Sequence, residues 1–173
     1  ILVGPNGSGK SSIVDLINRN LYPVENHNTS LKIFNKKLID IWELRSKIST
    51  VNNEIKERIS PHIKVIDLII SGLYGCYCKV NNSNKNDMEL ATKLINNMSL
   101  QDIAEKDFFC LSDGEKQFSL IARALIKKPM VLILDEPTIN LDLKSQIFLN
   151  DKIQKLINTG ISILCITHDI NII

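Results

Sequence analysis

The chain has 173 residues, 44% of them hydrophobic and 23% charged, with a net charge of +2. That is an ordinary globular balance for one domain, or one domain with a small appended lobe. The charge is too small to argue for nucleic acid, the longest apolar runs are too short to cross a bilayer, and no targeting segment is visible.

Ile1–Val3 reads as a strand, followed by a glycine-rich turn. Lys10–Asn20 reads as a helix, with Ile13, Leu16 and Ile17 at helical spacing. Pro23 and Glu25–Ser30 form a loop. Leu31–Phe34 predicts a short strand, Ile41–Arg45 a helical turn and Ile48–Val51 another strand. Asn52–Pro61 is polar and irregular. Val65–Gly72 predicts a helix and Tyr74–Asp87 a surface loop. Met88–Met98 and Ser112–Ile126 predict helices, the second stopped by Pro129. Val131–Leu134 is continuously apolar, as in a strand covered on both faces of a parallel sheet. Lys144–Asn158 predicts a helix closed by Gly160, and Ile161–Thr167 a last buried strand. The order is α/β, mainly a parallel sheet, with a helical insertion over 60–128. The chain opens in mid-strand and stops at Ile173 just after another strand, so a fragment of a longer protein, truncated at both ends, is expected.

Cys76, Cys78, Cys110 and Cys165 form no pair of Cys-x-x-Cys units, which argues against zinc. Reduced, mostly buried thiols are expected.

The first chemical motif is Gly4-Pro5-Asn6-Gly7-Ser8-Gly9-Lys10-Ser11, with Ser12 behind it. Glycines let the backbone turn several N–H groups toward phosphate oxygens, and the helix that follows adds the positive end of its dipole. Lys10 can reach the outer phosphates of a nucleotide, and the Ser11 hydroxyl can ligate Mg²⁺. The second motif is Val131-Leu132-Ile133-Leu134-Asp135-Glu136-Pro137. Its two acids leave the carboxyl end of a buried strand, where ligands bind in open α/β sheets. Asp135 can hold Mg²⁺ through water, and Glu136 can polarise an attacking water.

Leu111-Ser112-Asp113-Gly114-Glu115 resembles the signature motif of ATP-binding cassette (ABC) ATPases. Asn140-Leu141-Asp142 resembles that family's D-loop, and Thr167-His168-Asp169 its switch-histidine segment. The resemblance spans the chain and implies a P-loop NTPase fold. It implies a single ATPase domain over 1–173, with a RecA-like core at 1–59 and 129–173 and a helical subdomain at 60–128. It further implies ATP as substrate, Mg²⁺ as cofactor, and two domains head to tail around two nucleotides. Glu136 and His168 would act on the nucleotide of their own domain. Leu111, Ser112, Asp113, Gly114 and Glu115 would serve the opposite one, and Asp142 would line the interface.

Two departures stand out. Asp113 replaces a more usual glycine. The Q-loop glutamine is absent, and Asn53 is aligned with it as a shorter amide for nucleotide and metal contact. The adenine-stacking aromatic residue lies before the first loop in this family.

Ile41-Trp42-Glu43-Leu44-Arg45 and Val65–Gly72 resemble the molybdate and iron-chelate branch of cassette ATPases. The implied function is an importer's energising subunit, cytoplasmic and peripheral on the inner face of a membrane, with a permease partner. The alternative is a soluble cassette ATPase, with two cassettes in one chain in some relatives, acting on nucleic acid, ribosomes or a stress pathway. A regulatory module without turnover is disfavoured by Glu136 and His168.

Overall fold

The structure is a computed structural model that describes residues 1–5, 7–24 and 30–168. Among the described residues four parallel strands form one sheet: β1 (Leu2–Val3), β2 (Ile48–Val51), β3 (Val131–Asp135) and β4 (Ser162–Thr167), in the order β1-β4-β3-β2. The register sets Val51 beside Leu134, Asp135 beside Ile166 and Val3 beside Thr167. All carboxyl ends therefore finish on one edge.

The unbroken apolar run of β3 has a direct explanation. Leu132 and Leu134 pack on one side of the sheet with Leu120, Ile121 and Leu149, while Ile133 packs on the other with Val14, Leu44 and Ile166. Alternate side chains of a strand point to opposite faces, so a strand covered twice has no polar positions to spare. Each such buried aliphatic side chain stabilises the fold by about 1.5–3 kcal/mol relative to exposure.

Helices α1 (Lys10–Ile17) and α2 (Ile41–Lys47) cover the second face. Asp40 caps α2, accepting from the Trp42 and Glu43 amides at 2.8 and 3.0 Å. A single helical turn, α3 (Ile55–Arg58), follows β2. The other face carries α4 (Val65–Tyr74), α5 (Lys85–Met98), α6 (Asp113–Leu125) and α7 (Leu143–Asn158). At the α4–α6 crossing a Cβ on Gly72 would stand 2.4 Å from the Arg123 carbonyl oxygen, so only glycine permits that approach. Lys152 of α7 donates to the Asn97 carbonyl at 3.1 Å and tethers α7 to the end of α5.

Several expectations need correction. Leu31–Phe34 is not a strand: Ile33 and Lys36 make one antiparallel bridge across a tight turn, with Phe34 and Asn35 at φ 50° and 61°. The first helix ends at Ile17, not Asn20, because Arg19 adopts a left-handed φ of 59°. The 52–61 segment contains α3, which buries Ile55, with Ile59 buried just after it. Tyr74 belongs to α4, and α5 begins at Lys85 through an Asn84/Asp87 capping box. The thiols are all free, but only Cys165 is buried; Cys78 and Cys110 are exposed.

Candidate nucleotide site

The loop after β1 owes its shape to glycine. Gly7 and Gly9 take φ 81° and 87°, and Gly9 is the left-handed residue that opens α1. A Cβ at Gly4 would meet Ser8 Oγ at 2.8 Å. Lys10 is buried within the loop's curve and donates from Nζ to the Gly4 and Pro5 carbonyls at 2.7 and 2.9 Å. Asn6 and Asp169 lie outside the described residues.

A cavity of about 460 Å³ opens beside this loop, lined by residues that include Lys10, Ser11, Ser12, Asn52, Asn53, Asp135 and Glu136. It lies at the carboxyl ends of β2 and β3, where the fold brings together groups far apart in sequence. The Asp135 carboxyl is pushed above its ordinary value, first by burial and then by the charge of Glu136, with Lys10 opposing. Asp15 and Glu54 add to the crowding of negative charge.

Glu136 sits at φ 49°, an uncommon backbone for a non-glycine residue. Its amide donates to the Ile166 carbonyl at 2.8 Å, which holds it against the end of β4. One carboxylate oxygen, Oε1, lies 2.8 Å from His168 Nδ1. The other, Oε2, is buried without a partner. His168 itself is exposed at the sheet edge.

Asn53, expected to replace the missing glutamine, lines the cavity and is exposed. Its neighbour Asn52 is the residue the sequence reading missed. Asn52 follows β2 directly, lines the same cavity, and keeps Oδ1 buried without a donor. The signal was present: it is the first polar residue past a strand's carboxyl end, one place before the residue chosen.

These residues suit a magnesium–nucleotide. Two unpartnered acceptor oxygens and crowded carboxylates need positive charge or donors. Among the described residues no group of three or more His, Cys, Asp and Glu could hold a metal. A cation here would draw on Ser11, phosphate oxygens and water, as magnesium commonly does.

The other motif residues stand elsewhere. Ser112 caps α6, with Glu115 completing a capping box: the Ser112 amide and hydroxyl donate to Glu115 Oε2 at 2.8 and 2.7 Å. Asp142 caps α7, accepting from the Ser145 amide at 2.9 Å. Leu111, Ser112, Asp113, Gly114, Glu115 and Asp142 do not line the cavity.

The family model described as "ABC transporter" matches residues 1–139. The chain belongs to the ABC transporter ATP-binding family. This cassette is 34% identical to the uncharacterized ABC transporter ATP-binding protein YmeB of Lactococcus lactis, over 97% of the chain and 65% of that protein. It is 31% identical to the zinc uptake system ATP-binding protein ZurA of Listeria monocytogenes, over 98% of the chain and 65% of the relative. The dimeric structure of the ATP-binding cassette MJ0796, in a post-hydrolysis state bound to ADP and Pi, superposes with a TM-score of 0.79 at 28% identity, covering 99% of this chain and 75% of that one. The chain thus spans about 65% of the length of these curated relatives. Among the described residues no helix is long and apolar enough to cross a membrane.

Proposed function

We propose that the cassette binds and hydrolyses Mg–ATP as half of a head-to-tail pair and that this hydrolysis energises import through a transmembrane permease. The observation that carries hydrolysis is the Glu136–His168 contact at 2.8 Å, beside the cavity that holds Lys10 and Ser11. Bound Mg²⁺ would neutralise phosphate charge between Ser11 and Asp135. The loop residues Gly4, Pro5, Asn6, Gly7, Ser8 and Gly9, through the backbone N–H groups of all but Pro5, with Lys10 and Ser12, would cradle the phosphates. Glu136 would take the proton of the attacking water, while His168 holds Oε1 in orientation. Asn52 and Asn53 would stand at the Q-loop position.

The position of the signature supports the pairing. Ser112 and Gly114 sit at the start of α6, outside the cavity. A second cassette would present them to the phosphates, and Asp142 would line the contact. In the domain division that goes with this reading, 1–59 and 129–173 form the core and 60–128 the helical subdomain; the packing of α4 on α5 and α6 supports it, while α6 also packs against β2 of the core. The permease, the importing direction and a peripheral place on the inner membrane face rest on the zinc-uptake relative and on the likeness to the iron-chelate branch.

The test uses the full-length protein with Glu136→Gln. ATP should drive this variant into stable dimers without phosphate release, and the wild-type protein should copurify with a membrane protein. ATP turnover at the wild-type rate would remove Glu136 from the chemistry. A dimer that copurifies only with soluble partners would replace import by the soluble reading.

A further inference from the structure

Away from the nucleotide site, one pair of nucleophilic side chains is held together. Cys76 and Cys78 flank Tyr77 in the loop that leaves α4. Gly75 ends that helix in a left-handed turn, φ 69°, and the chain then bends at Tyr77 and Cys78. Cys76 Sγ lies 3.6 Å from the Cys78 carbonyl oxygen. The neighbouring Cys76 side chain pushes the Cys78 thiol above its ordinary value. Cys78 is exposed and Cys76 half-buried, so solvent reaches the pair.

Two residues apart, the Cα atoms can be separated by at most about 7 Å even in extended chain, and a bend brings them closer. That falls in the range a disulfide spans, about 4.4–6.8 Å. The surroundings are basic. Arg123 Nη2 donates to the Cys76 carbonyl at 2.7 Å, and its guanidinium lies 4.0 Å from the centre of the Tyr77 ring. Lys127 Nζ lies 3.8 Å from where a Cβ on Gly75 would stand. These charges attract anionic reagents to the loop.

We propose that Cys76 and Cys78 form an oxidative modification site that reacts with a small anionic disulfide, such as glutathione disulfide, and closes to a disulfide across Tyr77. Cys76 loses its proton and its sulfur attacks one reagent sulfur. The reagent's S–S bond breaks, and the departing glutathione thiolate takes up a proton. Cys78 then gives its proton to solvent and attacks the Cys76 sulfur of the mixed disulfide. The second glutathione leaves as a thiolate and is protonated. Two protein thiols lose two electrons and one reagent disulfide gains them. The new ring redirects the Cys76 carbonyl and the Tyr77 ring, the loop's two contacts with Arg123, and so loosens the loop from α6.

The test is thiol mapping of the full-length protein by mass spectrometry after exposure to glutathione disulfide. The peptide carrying both cysteines should lose two hydrogens, reversibly with dithiothreitol. Cys78→Ser should stop at a glutathione adduct on Cys76, while the exposed, solitary Cys110 of the same molecule should carry an adduct only. An unchanged circular dichroism melt of the reduced variant checks its folding. The proposal is overturned if Cys76 and Cys78 stay reduced under conditions that modify Cys110. It is equally overturned if Cys78→Ser accumulates no more adduct on Cys76 than the wild-type chain.

Discussion

His168 Nδ1 and Glu136 Oε1 stand 2.8 Å apart, although 32 residues separate them in sequence. The contact exists because β3 and β4 are parallel neighbours whose carboxyl ends coincide, with Asp135 beside Ile166. It leaves Oε2 buried and without a partner. Glu136→Gln in the full-length protein is expected to lower ATP turnover by ~100-fold or more while nucleotide binding persists. His168→Ala should lower turnover less, because Glu136 loses its orientation but keeps its basicity. Single-turnover phosphate release, set beside equilibrium nucleotide binding, separates the two.

Lys10 is held in place by the loop's own carbonyls at 2.7 and 2.9 Å, inside the loop proposed to cradle the phosphates. Lys10→Ala should weaken ATP binding by roughly 10- to 100-fold, the loss of a charged hydrogen bond of about 1.5–3 kcal/mol. Isothermal titration with ATP checks this. Adenosine affinity, which involves no phosphate, should barely change.

Asn52 and Asn53 make opposed predictions. Asn52 lines the cavity and keeps Oδ1 buried without a partner, whereas Asn53 is exposed. Asn52→Ala should therefore reduce turnover several-fold more than Asn53→Ala. A reversed order in steady-state rates would return the Q-loop role to Asn53.

Gly72→Ala should destabilise the fold by about 1–3 kcal/mol, because the added methyl would meet the Arg123 backbone 2.4 Å away. Urea unfolding of the purified chain measures it. A loss near zero would mean that α4 and α6 can separate freely.

Acid should weaken the fold through its capping carboxylates. Glu115 is lowered first by the Ser112 amide and then by its hydroxyl, Asp142 by Ser145, and Asp87 by Tyr74 and the Asn84 amide. Glu43 is held down at about 2 by Lys36 and then Lys47. A lowered folded pKa gives stabilisation that is complete above the unfolded value and lost as pH falls through the folded one. For Glu43 that window runs from 4.5 down to about 2. Asp135, raised by burial, acts in the opposite sense: its contribution is greatest below its ordinary 3.8 and fades as pH rises. Melting temperature should fall as pH drops through this window, and Glu43→Gln should flatten the lowest part of the curve.

The strands β2 and β3 and the polar groups at their ends were legible because burial on two faces writes itself as an unbroken apolar run. Lys10, Ser11, Asp135 and Glu136 were legible because phosphate chemistry demands those residue types at fixed spacing, and the structure gathers them around one cavity. The 31–34 segment misled because its apolar residues serve a tight turn; Ile33 is buried without a strand neighbour. The position of Asn52 just past β2 was legible, but its orphaned oxygen was not, because that is a property of three-dimensional surroundings and not of residue type. The Cys76–Arg123 link joins residues 47 apart and has no local pattern at all.

The start of α6 is packed so closely on the start of α7 that a Cβ on Gly114 would lie 2.8 Å from Ser145 Oγ. Ser145 is also the residue whose amide caps onto Asp142. The serine-bearing tip of one helix and the aspartate-bearing tip of the other therefore lie against each other and share one surface. A neighbouring cassette would meet both tips or neither. A substitution that tilts either helix would then act as an all-or-none change in docking, without a graded loss of one contact at a time.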